Sequence, residues 1–126
     1  MTFVELREIP EGIGPYALAA ISGDFVFVSM QLPVDYKTGR LVEGDFEDQL
    51  RQVLSNVREV LESIQLDITN ILKITLYTTE LYEMKKIDAV LEEFFGQHRP
   101  ACSVIGVAFL PNGAGVAVEA IASKEG

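Results

Sequence analysis

The sequence predicts an α+β fold in which two amphipathic helices pack on one face of a sheet. The first observation is the order of periodicities along the chain, which reads β-β-β-α-β-α-β-β. The second is that each helical segment lies between two strands, a connection that allows parallel pairing. The third is the last quarter of the chain, where two apolar runs flank a turn. At 126 residues, the chain is expected to form a single domain over residues 1–126 with a buried core.

The first third of the chain predicts three strands. Residues 2–9 alternate weakly between apolar and charged side chains, which indicates a strand, and residues 12–16 contain two glycines and a proline, which indicate a loop. Two apolar runs, 17–21 and 25–29, are separated by Ser-Gly-Asp, a spacing typical of a β-hairpin. Residues 31–39 then leave the strand and turn.

The middle of the chain predicts two helices with a strand between them. Asp45 is a candidate N-cap for the first helix. Its apolar side chains recur at spacings of one, three and four residues: Phe46, Leu50, Val53, Leu54, Val57, Val60, Leu61 and Ile64. The segment 71–79 is rich in β-branched residues and predicts a strand. The second helix is predicted from Met84 to Phe95, followed by Gly96 as a C-terminal stop.

The last quarter, Pro100 to Ala122, predicts two strands around a reversal. The runs 101–109 and 116–123 are nearly continuous and apolar, as is typical of strands buried on both faces. Proline, asparagine and glycine at 111–115 suit the reversal. Glu119 interrupts the second run. Because a lone buried carboxylate is costly, Glu119 is expected to face water, a cation or a ligand.

The composition of the chain argues against some classes of binding partner. Nineteen acidic residues against ten basic ones give a net charge of −9, which argues against nucleic-acid binding because phosphate contacts need clustered lysines and arginines. No apolar run reaches the roughly 18 residues of a membrane span, and the N terminus lacks the pattern of a signal peptide. The single cysteine, Cys102, cannot form an internal disulfide. We therefore expect a cytoplasmic protein without a membrane partner.

Six segments also carry a resemblance to a known family. They are Ile13–Tyr16, Phe27–Pro33, Asp45–Val60, Lys73–Tyr77, Phe94–Pro100 and Pro100–Ala122. In order and spacing they resemble the RidA (YjgF-like) family of reactive-intermediate deaminases. The signature of that family reads roughly Pro-Ala-Arg-Ser, then a strand ending in Leu-Pro, then Val-Glu-Ile-Glu-Ala-Ile-Ala. Cys102 stands where the family has its arginine.

The resemblance implies a chorismate-mutase-like fold and a homotrimer whose three sheets form a central barrel. It places three sites in the clefts between subunits. It implies hydrolysis of reactive enamines or imines, such as 2-aminoacrylate, to a keto acid and ammonia. It implies no metal and no organic cofactor.

The resemblance also supplies candidate site residues. The catalytic candidates are Glu119, which matches a carboxylate that positions water, and Cys102. The ligand-binding candidates are Tyr16, Ser29, Met30, Asp88 and Ser103. Other interpretations stay open: Glu119 as a strand residue on a solvated face, and Tyr16 as a surface aromatic capping a turn. The single histidine, His98, has no metal-ligand spacing around it and is interpreted as a surface or capping residue.

Cys102 governs how far the family's activity can be extended to this chain. Arginine binds a carboxylate bidentately through its planar fork, and a thiol cannot. We favour the interpretation of Cys102 as a small buried apolar residue, while a reactive thiol would need a lowered pKa.

Three functions follow from these residues. The leading hypothesis is a small metabolite bound in an inter-subunit cleft, with deaminase activity weak or lost. An alternative is an active hydrolase acting on a different imine or amide, with Cys102 as nucleophile and Glu119 as base. A lesser alternative is an RNA-directed role, which has been described for some family members and which the net charge disfavours.

Overall fold

A mixed sheet backed by two helices forms the architecture of residues 1–4 and 15–125, the part of the chain that the computed structural model describes. The strands are β1 (Thr2–Val4), β2 (Ala19–Ser22), β3 (Phe25–Gln31), β4 (Val34–Asp35), β5 (Arg40–Leu41), β6 (Ile71–Thr78), β7 (Ala101–Gly106) and β8 (Val116–Ser123). The helices are α1 (Phe46–Glu62) and α2 (Met84–Phe95). Short 3₁₀ turns occur at Ile68–Asn70, Leu81–Glu83 and Pro111–Gly113.

The main sheet has six strands in the order β1-β2-β3-β8-β6-β7, and β4 and β5 form a separate hairpin. All pairs in the main sheet are antiparallel except β6 and β7, which are parallel and are connected through α2. The α+β class, the hairpin of β2 and β3, and the parallel crossover are confirmed. β4 lies in the segment 31–39, which was predicted only to leave the strand and turn, and β5 follows that segment.

Capping residues mark where α1 begins and where α2 ends. The Asp45 side chain accepts a hydrogen bond from the backbone N–H of Asp48 at 2.9 Å, and Asp48 bonds the Asp45 N–H in return, which forms a capping box. The helix α2 ends at Gly96, whose φ of 62° is readily adopted by glycine. No helix in the described ranges is long and apolar enough to cross a bilayer.

Strand alternation sends one set of side chains into the core and another set onto the opposite face of the sheet. The core side packs Val26, Val28, Ile74, Leu76 and Val118 against the apolar faces of the helices. The opposite face is open in the single chain and carries exposed apolar side chains. They are Phe3, Phe25, Phe27 and Ile105, of which Phe3 is 64% exposed.

The last quarter differs from its prediction in two respects. The predicted strand 101–109 ends at Gly106, and it is not buried on both faces. β7 is the edge strand, so only β6 pairs with it, and its residues are exposed or half-buried. β6 also lies between β7 and β8, so the two apolar runs are not neighbours. β8 is central and largely buried, as predicted.

The predicted N-terminal elements are described only in part. Thr2–Val4 forms a strand, whereas the rest of the predicted strand 2–9 and most of the predicted loop 12–16 lie outside the described residues.

A buried asparagine attaches α1 to the segment that follows β3. Asn56 is 1% exposed, and its Nδ2 donates to the carbonyls of Leu32 at 3.0 Å and Val34 at 2.9 Å. Gln52 Nε2 donates to Asn56 Oδ1 at 2.9 Å, which fixes the amide orientation. Buried carbonyls without a donor are costly, so this contact holds the chain just beyond β3 in place.

Asn56→Ala should lower the free energy of unfolding by about 1–3 kcal/mol, because the Val34 carbonyl loses its Asn56 donor and the Leu32 carbonyl keeps only the backbone N–H of Val34. Urea unfolding at fixed protein concentration measures the change. Ser55→Ala, at the neighbouring exposed position of α1, is the matched control and should change stability by less than about 0.5 kcal/mol. Equal effects of the two substitutions would contradict the role assigned to Asn56.

Candidate functional site

Strand register decides which candidate residues share a face. Glu119 pairs with Thr75, and Thr75 pairs with Ser103, so these three side chains form a row across β8, β6 and β7. Cys102 instead pairs with Ile74, whose side chain is in the core. Cys102 and Glu119 therefore lie on opposite faces of one sheet. The two predicted catalytic residues do not meet within a single chain.

Glu119 is half-buried and is held by a neighbouring strand. The hydroxyl of Tyr77 donates to Glu119 Oε1 at 2.7 Å. This hydrogen bond, followed by desolvation and the negative charge of the carboxylate, raises the pKa of Tyr77 above its usual value. Tyr77 therefore stays protonated at neutral pH and remains a donor to Glu119.

A β-bulge in β3 opens the sheet beside Glu119. Val28 pairs with Ala120 and Gln31 pairs with Val118, so three steps along β3 correspond to two along β8. The extra residue turns Ser29 and Met30 toward a cavity of about 390 Å³ that Tyr16 and Glu119 also line. We call Tyr16, Ser29, Met30 and Glu119 the sheet-face group.

Ser29 is preorganised within this group. Its Oγ donates to the carbonyl of Ala17 at 2.7 Å, so its proton is engaged and its lone pairs are left to accept a hydrogen bond. Behind it, Gln31 Nε2 donates to the Ser29 carbonyl at 3.0 Å, and the Tyr36 hydroxyl donates to Gln31 Oε1. Burial, and secondarily the charge of Glu59, raise the pKa of Tyr36, which therefore remains a neutral donor.

A second group lies between α2 and β7. Cys102, Asp88, His98 and Arg99 line a groove of about 260 Å³, which we call the edge groove. Cys102 is exposed, so its interpretation as a buried apolar residue is wrong; the edge position of β7 leaves it uncovered. A His98 ring nitrogen lies 2.7 Å from the carbonyl of Ile71, an arrangement that ties the α2–β7 connection to β6.

The environment of Cys102 opposes a reactive thiolate. Desolvation of the sulfur raises the pKa of the Cys102 thiol, and the negative charge of Asp88 raises it further, while Lys73 acts in the opposite direction. The net direction is upward. A nucleophilic role would need a lowered pKa, so the geometry of the single chain does not support one.

Two residues that the sequence did not single out complete the sheet face. They are Tyr77, already described, and Lys73, whose Nζ donates to Ser103 Oγ at 3.1 Å. Lys73, Thr75 and Glu119 line a small cavity of about 160 Å³. The available signal was the alternation of β6, which puts residues 73, 75 and 77 on one face. Within the described ranges, no group of three or more His, Cys, Asp or Glu side chains is arranged to hold a metal ion.

Most of the chain is similar to known proteins in sequence and in structure. Residues 7–124 match the family model described as Endoribonuclease L-PSP. A RutC family protein of Pyrococcus horikoshii is 40% identical over 116 residues, covering 92% of each chain. A 2-iminobutanoate/2-iminopropanoate deaminase of Salmonella typhimurium is 39% identical over 124 residues, covering 96% of each chain. The crystal structure of Escherichia coli TdcF with bound serine superposes with a TM-score of 0.89 at 34% identity, covering 98% of each chain.

Glu119→Gln should lower the pKa of Tyr77 toward its ordinary value, because the substitution removes the hydrogen bond to a carboxylate and, secondarily, the negative charge that disfavours the phenolate. An ultraviolet titration that follows tyrosine ionisation measures the shift. Tyr77→Phe should abolish that transition, and Glu62→Gln, on the exposed side of α1, should leave it unchanged. An identical titration curve for Glu119→Gln and the natural protein would show that the two side chains do not interact.

Cys102 should react with a thiol reagent more slowly at pH 7 than a free cysteine, because its raised pKa leaves less thiolate. The rate should rise as the pH approaches and passes that pKa. Asp88→Asn should accelerate the reaction by removing a negative charge, whereas Glu92→Gln, in the same groove, serves as the matched control. Rapid labelling of the natural protein at neutral pH would instead favour the nucleophile hypothesis.

Proposed function

Because the chain belongs to the endoribonuclease L-PSP family, which includes the RidA and YjgF proteins, we propose that it binds a small metabolite in a cleft between the subunits of a homotrimer. The fold is chorismate-mutase-like, as in the structural neighbours. The observation that carries the proposal is the placement of the candidate residues. The sheet-face group and the edge groove occupy opposite faces of one sheet, so both could contact one ligand across an interface between two copies but not within one chain.

The open face of the sheet supports assembly. Phe3, Phe25 and Phe27 are all about half exposed or more, and strand register places them on the same side as Glu119. Contiguous exposed apolar surface of this kind is typical of protein interfaces. In the proposed trimer these faces would line the central barrel, and the edge groove of one subunit would lie beside the sheet-face group of the next.

The chemistry of the sheet-face group fits a small imino or amino acid. A relative acts on 2-iminobutanoate and 2-iminopropanoate by name, and a structural neighbour was solved with bound serine. In the family reaction, water adds to the imine carbon, the carbon–nitrogen bond breaks, and a keto acid and ammonia are released. Glu119 would orient the water and take its proton, with Tyr77 holding the carboxylate in place.

We propose that this deaminase activity is weak or lost because Cys102 cannot supply the bidentate contact of the family arginine. A second candidate, an active deaminase or hydrolase, is favoured by the 39% identity to the Salmonella enzyme. We also propose that the protein is a single domain and is cytoplasmic. RNA is not the proposed ligand, because a net charge of −9 disfavours contacts with phosphates.

The assay that tests the proposal generates 2-aminoacrylate and its imine in situ and follows keto acid release. The natural protein should accelerate release little above the uncatalysed rate. Cys102→Arg should accelerate it by at least about tenfold, because one charge-assisted carboxylate contact is worth roughly 1.5–3 kcal/mol. Cys102→Gln, which adds length without charge, is the matched control and should resemble the natural protein.

Each contrary result has a defined meaning. Strong activity of the natural protein would favour the second candidate, an active enzyme that does not need the arginine. A Cys102→Arg variant that neither releases keto acid faster nor binds keto acids more tightly would contradict the role assigned to position 102. A monomer in sedimentation at micromolar concentration would contradict the inter-subunit cleft.

A further inference from the structure

The described strands of the sheet face carry two formal charges. They are the carboxylate of Glu119 and the ammonium of Lys73, and both side chains are half-buried. The neighbouring side chains on this face are apolar or neutral, such as Phe27, Ile121 and Thr75. Lys73 and Glu119 form no ion pair with each other, and among residues 1–4 and 15–125 neither has an ion-pair partner.

The two charged ends flank one residue. Thr75 of β6 lies directly opposite Glu119 of β8 on one side and Ser103 of β7 on the other. The Lys73 Nζ reaches across to Ser103 Oγ at 3.1 Å, so the ammonium is on one side of Thr75 and the carboxylate is on the other. Neighbouring strands are about 4.8 Å apart, so the backbones that carry Glu119 and Ser103 are separated by roughly 10 Å.

Covering this face with a second subunit would remove both charges from water. An uncompensated buried charge is strongly destabilising, so each charge then needs a partner. The two groups form no direct ion pair, yet both line one cavity of about 160 Å³, which suits a small ligand that bears one group of each sign.

We propose that Lys73 binds the carboxylate of an α-amino or α-imino acid whose nitrogen faces Glu119. This inference rests on the proposed inter-subunit cleft and names the residue that selects its ligand. In the proposed cleft, Lys73 would supply, from the same sheet as Glu119, the positive charge that Cys102 of the neighbouring subunit does not. An ammonium lacks the planar fork of a guanidinium, so the ligand would be held but less firmly oriented.

Calorimetric titration tests the proposal with 2-aminobutanoate, which carries the carboxylate anion and a nitrogen for Glu119, and with 2-aminobutanamide, which keeps that nitrogen but lacks the anion. The natural protein should bind the anion more tightly than the amide. Lys73→Met should weaken binding of the anion by about 10- to 100-fold, the range expected for one hydrogen bond between charged groups. It should leave binding of the amide nearly unchanged. Lys73→Arg should retain the preference for the anion.

The control and the contrary outcomes separate this inference from the proposed function. Lys85→Met removes an exposed lysine of α2 and should not alter either affinity. Unchanged anion binding by Lys73→Met would overturn the role of Lys73 while leaving the cleft intact. Equal weakening of both probes would also overturn it, because the loss would then be structural. Absence of binding by the natural protein would overturn the proposed function and this inference together.

Discussion

The register of β8 between β3 and β6 is the constraint on which the rest of the structure depends. Val116, Val118 and Ala120 are buried against the helices, so the residue between the last two, Glu119, must point to the opposite face. A slip of one residue would exchange the two sets and bury a carboxylate in an apolar core. Core packing therefore fixes where Glu119 lies, independently of any ligand.

The same register leaves position 102 without a constraint from the core. β7 is in register with β6 so that Cys102 lies beside Ile74, but at the edge strand its own side chain is exposed. No packing in the core requires a particular size or charge there. A substitution at position 102 would therefore affect a ligand or a neighbouring subunit more than stability. Gly106 on the same strand is more constrained, because a Cβ added there would lie only 3.2 Å from Leu81 Cδ2.

Local patterns predicted the elements well, because capping at Asp45 and Gly96 and the apolar spacing of both helices are encoded by neighbouring residues. The order of the strands in the sheet was harder to predict from the sequence. An apolar run does not show whether it is central or at an edge, so β7 was predicted to be buried and is exposed. Among the candidate site residues, Glu119 and Ser29 were predicted through the resemblance. Lys73 and Tyr77 were not, because single polar residues in an alternating strand look like an ordinary solvated face.

The sheet-face polar groups are already oriented before any ligand arrives. Ser29 is held by the Ala17 carbonyl, Glu119 by the Tyr77 hydroxyl and Lys73 by Ser103. Holding these rotamers within the fold reduces the side-chain entropy that a ligand would otherwise have to remove on binding. The proposed binding of a small charged molecule would therefore cost less side-chain entropy than it would with freely rotating side chains.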